Sequence, residues 1–426
     1  MIKKLFGIFE KQMVEEKFLQ WIFRTINNLI ISILTLVFRL ISSVINIVFK
    51  VIIKILAVLA RHHLAKKTPV ENKVMFLTFQ GDYTCNPKYI AEELLRQNSD
   101  YQLVWDVKTA YPTSDYPMGL KFVRHNTYEF YKELASAKVI IENTNIVERL
   151  YAYKKKEQFL LQTWHGSLGI KRLDGDVVMG FRWKQLAKRC QKTVDYLLSN
   201  SNFETEVFRT AYWKDVPSIL VGHARNDIFF IKDQEKVARI NKKVHRFLNI
   251  DEDTHIFLFA PTHRDDVDES YQPLNYEMIK EALEERFGGK WQIVIRLHNR
   301  LKKESRSWLN LLPSYVSDAT FYEDMQELLL CTDVGLTDYS SWIFDFVLSG
   351  KPGFIIELNL EDYENARGFY YPIDTTPLQR AVKSLRIISV NLMLKSMQKT
   401  RMYFWLREAA WKMVMRVNVL SRRSMN

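Results

Sequence analysis

Residues 158–173 read QFLLQTWHGSLGIKRL, and residues 333–346 read DVGLTDYSSWIFDF. In both stretches a short apolar run ends in a turn: Trp-His-Gly at 164–166 in the first, and the polar run Thr-Asp-Tyr-Ser-Ser at 337–341 in the second. This is the pattern of a buried strand that delivers a loop, and open α/β sheets bind ligands at the carboxyl ends of their strands. The two stretches therefore predict an α/β fold with functional groups at two strand ends.

The same alternation extends outward in both directions. From residue 73, apolar runs such as KVMFLTF and YQLVWDV alternate with amphipathic runs such as PKYIAEELLRQ and TYEFYKELASA. A second series begins near residue 254 with HIFLFAPT and continues through NYEMIKEALEERF, WQIVIRLH and GKPGFIIEL. Strands that alternate with helices are typical of parallel sheets, and two series predict two Rossmann-like lobes. The predicted domains are a helical segment (1–68), an N-terminal lobe (69–235), a C-terminal lobe (236–377) and a tail (378–426).

The first segment is strongly apolar. Between residues 29 and 60 the only charged residues are Arg39, Lys50 and Lys54, and further cations flank the stretch on both sides. We expect this helix to lie in the headgroup region of an anionic membrane, so that the protein is peripheral on the cytoplasmic side. The alternative is a single tilted span over residues 40–60, in which each buried lysine costs about 3 kcal/mol.

Composition and missing motifs exclude several other classes of site. The three cysteines are widely spaced, which argues against a disulfide framework or a zinc knuckle and predicts a reducing compartment. Walker A, Gly-x-Gly-x-x-Gly and His-Glu-x-x-His patterns are absent, so the sequence predicts neither a cofactor nor a metal ion.

Candidate site residues stand at the predicted strand ends. His165 is suited to act as a general base because imidazole titrates close to neutral pH. Cationic and hydroxyl side chains that suit phosphate oxygens follow two other strands: Thr262 with Arg264, and Arg296 with His298. Each of these has an ordinary alternative, for example a surface ion pair for Arg264. Ser340 and Ser341 either cap the following helix or help to bind phosphate, and the two roles are compatible.

Taken together, WHGSLGIKRL, GHARND, APTHRDD, RLH and TDYSSWIFDF resemble, in this order, the CDP-glycerol:poly(glycerophosphate) glycerophosphotransferases of teichoic acid and capsule synthesis. The resemblance covers about residues 73–377. It implies a two-lobed fold of the GT-B type that transfers glycerol phosphate from CDP-glycerol to a lipid-linked polymer acceptor and releases CMP. It also implies that His165 deprotonates the acceptor hydroxyl and that His298 belongs to the catalytic set. The residues expected to bind substrate are Trp164, Gly166, Ser167, Arg225, Asn226, Pro261, Thr262, Arg264, Arg296, Thr337, Asp338, Ser340, Ser341 and Asp345.

Several related activities remain open at the level of sequence. One is the transfer of ribitol phosphate or another polyol phosphate by the same chemistry. Another is a GT-B glycosyltransferase that uses a nucleotide sugar, and a third is an inactive, membrane-bound member of the family.

The tail carries most of the net positive charge. Residues 378–426 contain eleven Lys or Arg and one acidic residue, Glu408, so ten of the twelve net charges lie there. Codons permitted for VKSLRIISVNLMLKSMQ (382–398) spell EELKDNISEFDAEKYA when shifted by one base, which looks like a normal family ending. Our hypothesis is that the tail is frameshifted, and sequencing the gene tests it. On this hypothesis the basic charge indicates no nucleic-acid partner.

Overall fold

The computed structural model describes residues 2–108, 116–150, 152–167, 171–177, 180–262, 274–297, 313–356, 360–370 and 379–381. The chain divides into two compact units, Met1–His63 and Leu64–Asn426.

The first unit consists of one helix. Helix α1 runs without a break over Ile2–Lys67, and its last turn belongs to the second unit. Within the described residues, the part Gln20–Lys67 is long and apolar enough to cross a membrane. Its apolar side chains, for example Leu36, Val37 and Phe38, are exposed.

The second unit contains two parallel sheets. The first sheet has seven strands in the order β3-β2-β1-β4-β5-β6-β7, and all of its neighbouring strands are parallel. Its strands are β1 Glu71–Leu77, β2 Gln102–Val107, β3 Leu120–Arg124, β4 Ala137–Glu142, β5 Phe159–Gln162, β6 Tyr196–Ser199 and β7 Ser218–Leu220.

The second sheet has six strands in the order β10-β9-β8-β11-β12-β13, again all parallel. Its strands are β8 His255–Phe259, β9 Trp291–Ile295, β10 Val316–Asp318, β11 Val334–Thr337, β12 Gly353–Ile356 and β13 Gln379–Ala381. The α/β class with parallel sheets that the sequence predicts is therefore confirmed. Strand β13 lies at the start of the predicted tail, and residues 382–426 lie outside the described residues.

Helices connect consecutive strands of each sheet, and one of them, Gln234–Leu248, links β7 of the first sheet to β8 of the second. They are α2 Cys85–Arg96, α3 Tyr128–Ser136, α4 Ile146–Arg149, α5 Phe181–Thr193, α6 Asn202–Ala211, α7 Gln234–Leu248, α8 Tyr276–Phe287, α9 Met325–Cys331, α10 Trp342–Phe346 and α11 Leu360–Ala366. Side-chain caps begin several of them: Thr127, Ser201, Asp233 and Asn275 each accept a hydrogen bond from a backbone N–H of the first turn. A 3-10 helix, Ala224–Phe230, follows β7 and packs against both α2 and α9.

The strand orders determine where a ligand is expected. In each sheet the order reverses direction once, between β1 and β4 and between β8 and β11. Neighbouring loops at such a point leave in opposite directions and open a crevice at the carboxyl ends of the strands. The residues that follow β1, β4, β8 and β11 therefore line the expected sites.

Candidate functional site

The Trp-His-Gly turn follows β5, next to the reversal point of the first sheet. Trp164 adopts a positive φ of 53°, a conformation that costs a non-glycine residue about 1 kcal/mol. The Gln162 side chain accepts a hydrogen bond from the Trp164 backbone N–H at 2.9 Å. The indole ring packs edge-on against Phe208 and Trp213. These contacts hold the turn in its strained shape and leave the next side chain exposed.

His165 is exposed at the end of this turn. Its Nδ1 lies 2.8 Å from the carbonyl oxygen of Asn143, the residue that follows β4. A carbonyl accepts hydrogen bonds and cannot donate them, so Nδ1 carries the proton in the neutral ring and Nε2 carries the lone pair. The ring of Phe79, which follows β1, stacks over His165 with the centroids 6.3 Å apart. The imidazole is therefore oriented as a base at the reversal point of its sheet.

Gly166 brings this turn against the second sheet. A β-carbon placed on Gly166 would lie 2.9 Å from the Ser341 hydroxyl oxygen, closer than real side chains allow. The structure therefore brings together the two motifs that the sequence singles out, from strands of different sheets.

The turn after β11 is held by hydrogen bonds to the loop after β8. Oδ1 of Asp338 accepts from the backbone N–H of Thr262 and from that of Tyr339, each at 2.6 Å. Thr337 donates its hydroxyl to the Ala260 carbonyl. Pro261 and Thr262 are buried, and the Thr262 hydroxyl has no hydrogen-bond partner among the described residues. Thr337 and Asp338 thus shape the site, while the Thr262 hydroxyl remains available there.

Ser340 and Ser341 are half-buried at the start of α10. Ser341 occupies the N-cap position, but its side chain makes no capping hydrogen bond. The capping role that the sequence allows is therefore not adopted by Ser341.

Asp345 receives five hydrogen bonds from two parts of the chain. Its Oδ1 accepts from Ser167 Oγ, from Arg225 Nη2 at 3.1 Å and from Asn226 Nδ2 at 2.7 Å. Its Oδ2 accepts from Arg225 Nε at 3.0 Å and from Gln326 Nε2 at 3.3 Å. All five residues are buried. This Asp345 cluster joins the turn after β5 and the 224–230 helix to α9 and α10.

The charges of the cluster stabilise one another. Burial acts to raise the pKa of Asp345, but the charge and hydrogen bonds of Arg225 outweigh it and the pKa lies below its ordinary value. Burial acts to lower the pKa of Arg225, and Asp345 reverses this so that the net change is upward. Both groups therefore stay ionised near neutral pH. Nη1 of Arg225 and Oδ1 of Asn226 are buried without hydrogen-bond partners among the described residues.

Arg296 follows β9, as the sequence predicts, but its guanidinium is engaged. Its Nη1 donates to the carbonyl oxygens of Ala319, at 3.2 Å, and Tyr322, at 2.6 Å. Burial lowers the pKa of Arg296 below the ordinary value for arginine. Arg264 and His298, the other two predicted cations, lie outside the described residues.

Two buried amides that the sequence did not single out support the same site. Gln162 links the Trp164 backbone to the Glu142 carboxyl, to which it donates at 3.0 Å. Asn86 donates to the carbonyls of Thr163 and Trp164 and accepts from the Arg225 backbone N–H. Asn86 directly precedes a proline in α2, and Gln162 ends an apolar strand, so neither stands in a recognisable motif.

A second buried group of charges joins α2 to α9. Lys88 contacts Asp324 and Glu327, each at 2.6 Å, and all three side chains are nearly inaccessible to solvent. Glu327 also accepts from the Tyr322 hydroxyl at 2.6 Å and pairs with Lys243 at 3.0 Å. Burial acts to raise the pKa of Glu327, but Lys88 outweighs it and lowers the pKa to about 2. Lys88 and Glu327 therefore stay charged over the neutral range.

Known proteins with similar sequences synthesise teichoic acids. The chain is 30% identical to the teichoic acid poly(glycerol phosphate) polymerase of Staphylococcus epidermidis, over 73% of this chain and 45% of that protein. It is also 30% identical to the teichoic acid glycerol-phosphate transferase of Staphylococcus aureus, over 72% of this chain and 79% of that one. The chain thus spans less than half of the first of these curated relatives.

Solved structures of the wall teichoic acid polymerase TagF share the fold. One is 26% identical with a TM-score of 0.64, over 83% of this chain and 86% of that one. Another, a variant soaked with CDPG, is 23% identical with a TM-score of 0.68, over 86% and 94%. The model of the CDP-glycerol:poly(glycerophosphate) glycerophosphotransferase family matches residues 58–403, which is most of the chain and extends past residue 377. The chain therefore belongs to the CDP-glycerol:poly(glycerophosphate) glycerophosphotransferase family.

Proposed function

We propose that this protein transfers glycerol phosphate from CDP-glycerol to the hydroxyl end of a teichoic-acid-like polymer and releases CMP. The observation that carries the proposal is the close approach of Gly166 to Ser341, which places an exposed, oriented histidine beside the hydroxyl-rich turn of the second sheet. Family membership and relatives named for glycerol phosphate transfer support the same reaction.

His165 acts as general base in this proposal. The acceptor hydroxyl oxygen attacks the phosphorus that bears glycerol and gives up its proton to Nε2 of His165. The bond between that phosphorus and the bridging oxygen breaks, and its electron pair leaves on CMP. The Asn143 carbonyl stabilises the imidazolium that forms, because it accepts the Nδ1 proton throughout. One P–O bond forms and one breaks, so the reaction needs no oxidant or reductant.

The donor binds, in this proposal, against the loops after β8 and β11. The hydroxyls of Thr262, Ser340 and Ser341 are suited to donate to the pyrophosphate oxygens, on which charge accumulates as CMP leaves. The Thr262 hydroxyl supports this assignment because it is buried without a partner among the described residues. Arg264 and His298 complete the predicted set as the cation and the second histidine.

We further propose that the two sheets form the lobes of a GT-B-like arrangement, the first receiving the acceptor and the second the donor. Support comes from the strand orders, which give each sheet its own reversal point. In this proposal the domains predicted at 69–235 and 236–377 are the two lobes, and the second is extended to include β13 at Gln379–Ala381.

We propose that helix α1 attaches the protein to an anionic membrane. There the site can reach an acceptor that is linked to lipid. Apolar residues are exposed at successive positions, including Leu29–Ile31, Leu36–Phe38 and Val51–Ile53, so they surround the helix. An in-plane helix needs a polar face, and a spanning helix does not. The distribution therefore favours the single span over the peripheral arrangement, with the cation-rich residues 61–67 that follow the span towards the cytoplasm.

Glycerol phosphate is favoured over ribitol phosphate by the relatives. Those named for glycerol phosphate polymerisation or transfer reach 30% identity, and those named for ribitol phosphate reach 25%. The test compares CMP release from CDP-glycerol and CDP-ribitol by membranes that contain the protein. We expect turnover of CDP-glycerol to exceed that of CDP-ribitol. Faster turnover of CDP-ribitol contradicts the choice of polyol, and nucleoside diphosphate release from a nucleotide sugar instead indicates a glycosyltransferase.

A further inference from the structure

We propose that Asp345 is a positioning residue: it fixes Ser167, and through Ser167 the turn that carries His165, and it does not contact the donor. This inference rests on the proposed function and deepens it. It also reassigns Ser167 and Asp345, which the resemblance places among the substrate-binding residues.

The hydroxyl group of Ser167 is fully engaged inside the cluster. Ser167 has a single hydroxyl hydrogen, which it donates to Asp345 Oδ1, and its oxygen accepts from Arg225 Nη2 at 3.1 Å. The Ser167 hydroxyl therefore already donates one hydrogen bond and accepts another within the protein. A phosphate bound by Ser167 would have to replace the carboxylate of Asp345.

Charge excludes Asp345 itself as a ligand of the pyrophosphate. The carboxylate is only 2% exposed, and its oxygens already accept five hydrogen bonds. A carboxylate accepts hydrogen bonds, so it repels a phosphate rather than binding it. Asp345 also neutralises Arg225, whose side chain is 1% exposed.

The position of Ser167 in the chain gives the cluster its effect on the base. Trp164 anchors one side of His165 in the core of the first sheet through its ring contacts. Ser167 anchors the other side to Asp345, which belongs to the second sheet's helix α10. Because only Gly166 separates Ser167 from His165, the bond from Ser167 to Asp345 makes the position of the base depend on the second sheet as well as on the first.

The test compares the full-length wild-type protein with Ser167→Ala and, as a matched control, Gln326→Ala. Both variants remove one hydrogen bond to Asp345, but Ser167 lies in the His165 turn and bonds to Oδ1, whereas Gln326 lies on α9 and bonds to Oδ2. We expect Ser167→Ala to lower kcat about tenfold, because a displaced base loses alignment with the hydroxyl. The KM for CDP-glycerol should stay within about twofold, and the pH at which the rate is half-maximal should not move. Gln326→Ala should keep kcat within about twofold.

A second measurement does not depend on activity. The midpoints of thermal unfolding of Ser167→Ala, Asp345→Asn and the double variant should be non-additive, since the two side chains interact directly. If the double variant's fall in the unfolding midpoint equals the sum of the two single falls, Ser167 and Asp345 are not coupled and the proposal is contradicted. If Asp345→Asn does not fold, the comparison of kcat between Ser167→Ala and Gln326→Ala tests the positioning role by itself.

The possible failures can be told apart. A wild-type protein that is active, with Ser167→Ala raising the KM about tenfold at unchanged kcat, overturns the positioning role alone and restores Ser167 as a donor ligand. A wild-type protein that neither binds CDP-glycerol nor releases CMP overturns the proposed function, and the role of Asp345 with it.

Discussion

Gly166 and Ser341 stand so close that the site has no room for a β-carbon between them: one added to Gly166 would lie 2.9 Å from the Ser341 hydroxyl oxygen. The two residues come from different sheets and different motifs. Their contact explains why a glycine follows His165 here, although the position does not require a positive φ.

The first prediction is that Gly166→Ala lowers activity more than stability. The added methyl group meets the end of a short side chain, which can rotate away, so we expect a fall of only a few degrees in the midpoint of thermal unfolding. The rotated Ser341 and the displaced His165 should lower kcat by about 10²-fold. Gly180→Ala is the matched control, because nothing lies within 4 Å of a β-carbon there. Equal kcat values for the two variants would show that the contact is unimportant.

The second prediction concerns the amide that holds the strained turn. Gln162→Ala removes the acceptor for the Trp164 N–H and a donor to Glu142, so we expect destabilisation of about 2 kcal/mol and a fall of at least tenfold in kcat. Gln292→Ala, at a buried glutamine that bonds to Ser314 and Ser317, should cost similar stability without changing kcat. The measurements are denaturant unfolding and CMP release. A normal kcat for Gln162→Ala would show that Gln162 is not needed to hold the catalytic turn.

The third prediction is that Glu327 contributes to the stability of the folded protein in a pH-dependent way. Its pKa falls from an ordinary value of 4.5 to about 2 in the folded protein, so its stabilising effect is present above about pH 4.5 and disappears as the pH approaches 2. Glu327→Gln leaves Lys88 short of one negative partner and should cost about 3 kcal/mol at pH 7. The difference from wild type should narrow between pH 4.5 and pH 3. Glu281→Gln, at an exposed position, is the control, and its free energy of unfolding should differ little from that of wild type at pH 7 or at pH 3. If the stability lost by Glu327→Gln is the same at all pH values, the lowered pKa of Glu327 does not contribute to stability.

The fourth prediction concerns helix α1. If it spans the bilayer, alkaline carbonate washing of membranes should leave the protein in the pellet, because a spanning helix is not released when surface charges are neutralised. Recovery in the supernatant would instead support a helix in the headgroup region. A soluble cytoplasmic protein trapped in the vesicles serves as the release control.

The sequence predicts the elements of the fold well because their signal is local. Apolar runs that end in polar turns mark β5 and β11, and the amphipathic run NYEMIKEALEERF becomes helix α8. The sequence also predicts which strand ends carry the site, since parallel strands all present their carboxyl ends at one edge.

The partners of the site residues depend on tertiary contacts that no local pattern contains. Arg225 and Asp345 are 120 residues apart, and their pairing follows only from the packing of the 224–230 helix against the second sheet. A phosphate-binding arginine and a buried, carboxylate-paired arginine look alike in sequence. For the same reason Gln162 and Asn86 went unrecognised: burial gives these ordinary amides their role.

The most direct test of the central claim is CMP release from CDP-glycerol by wild-type protein and by His165→Ala in the same membrane preparation, with a polymer acceptor present. We predict one CMP for each glycerol phosphate added by the wild type, and a rate lower by about 10²-fold to 10⁴-fold for His165→Ala, the usual contribution of a general base. Equal rates for the two proteins would contradict the assignment of His165, and a wild type that releases no CMP would contradict the transfer reaction itself.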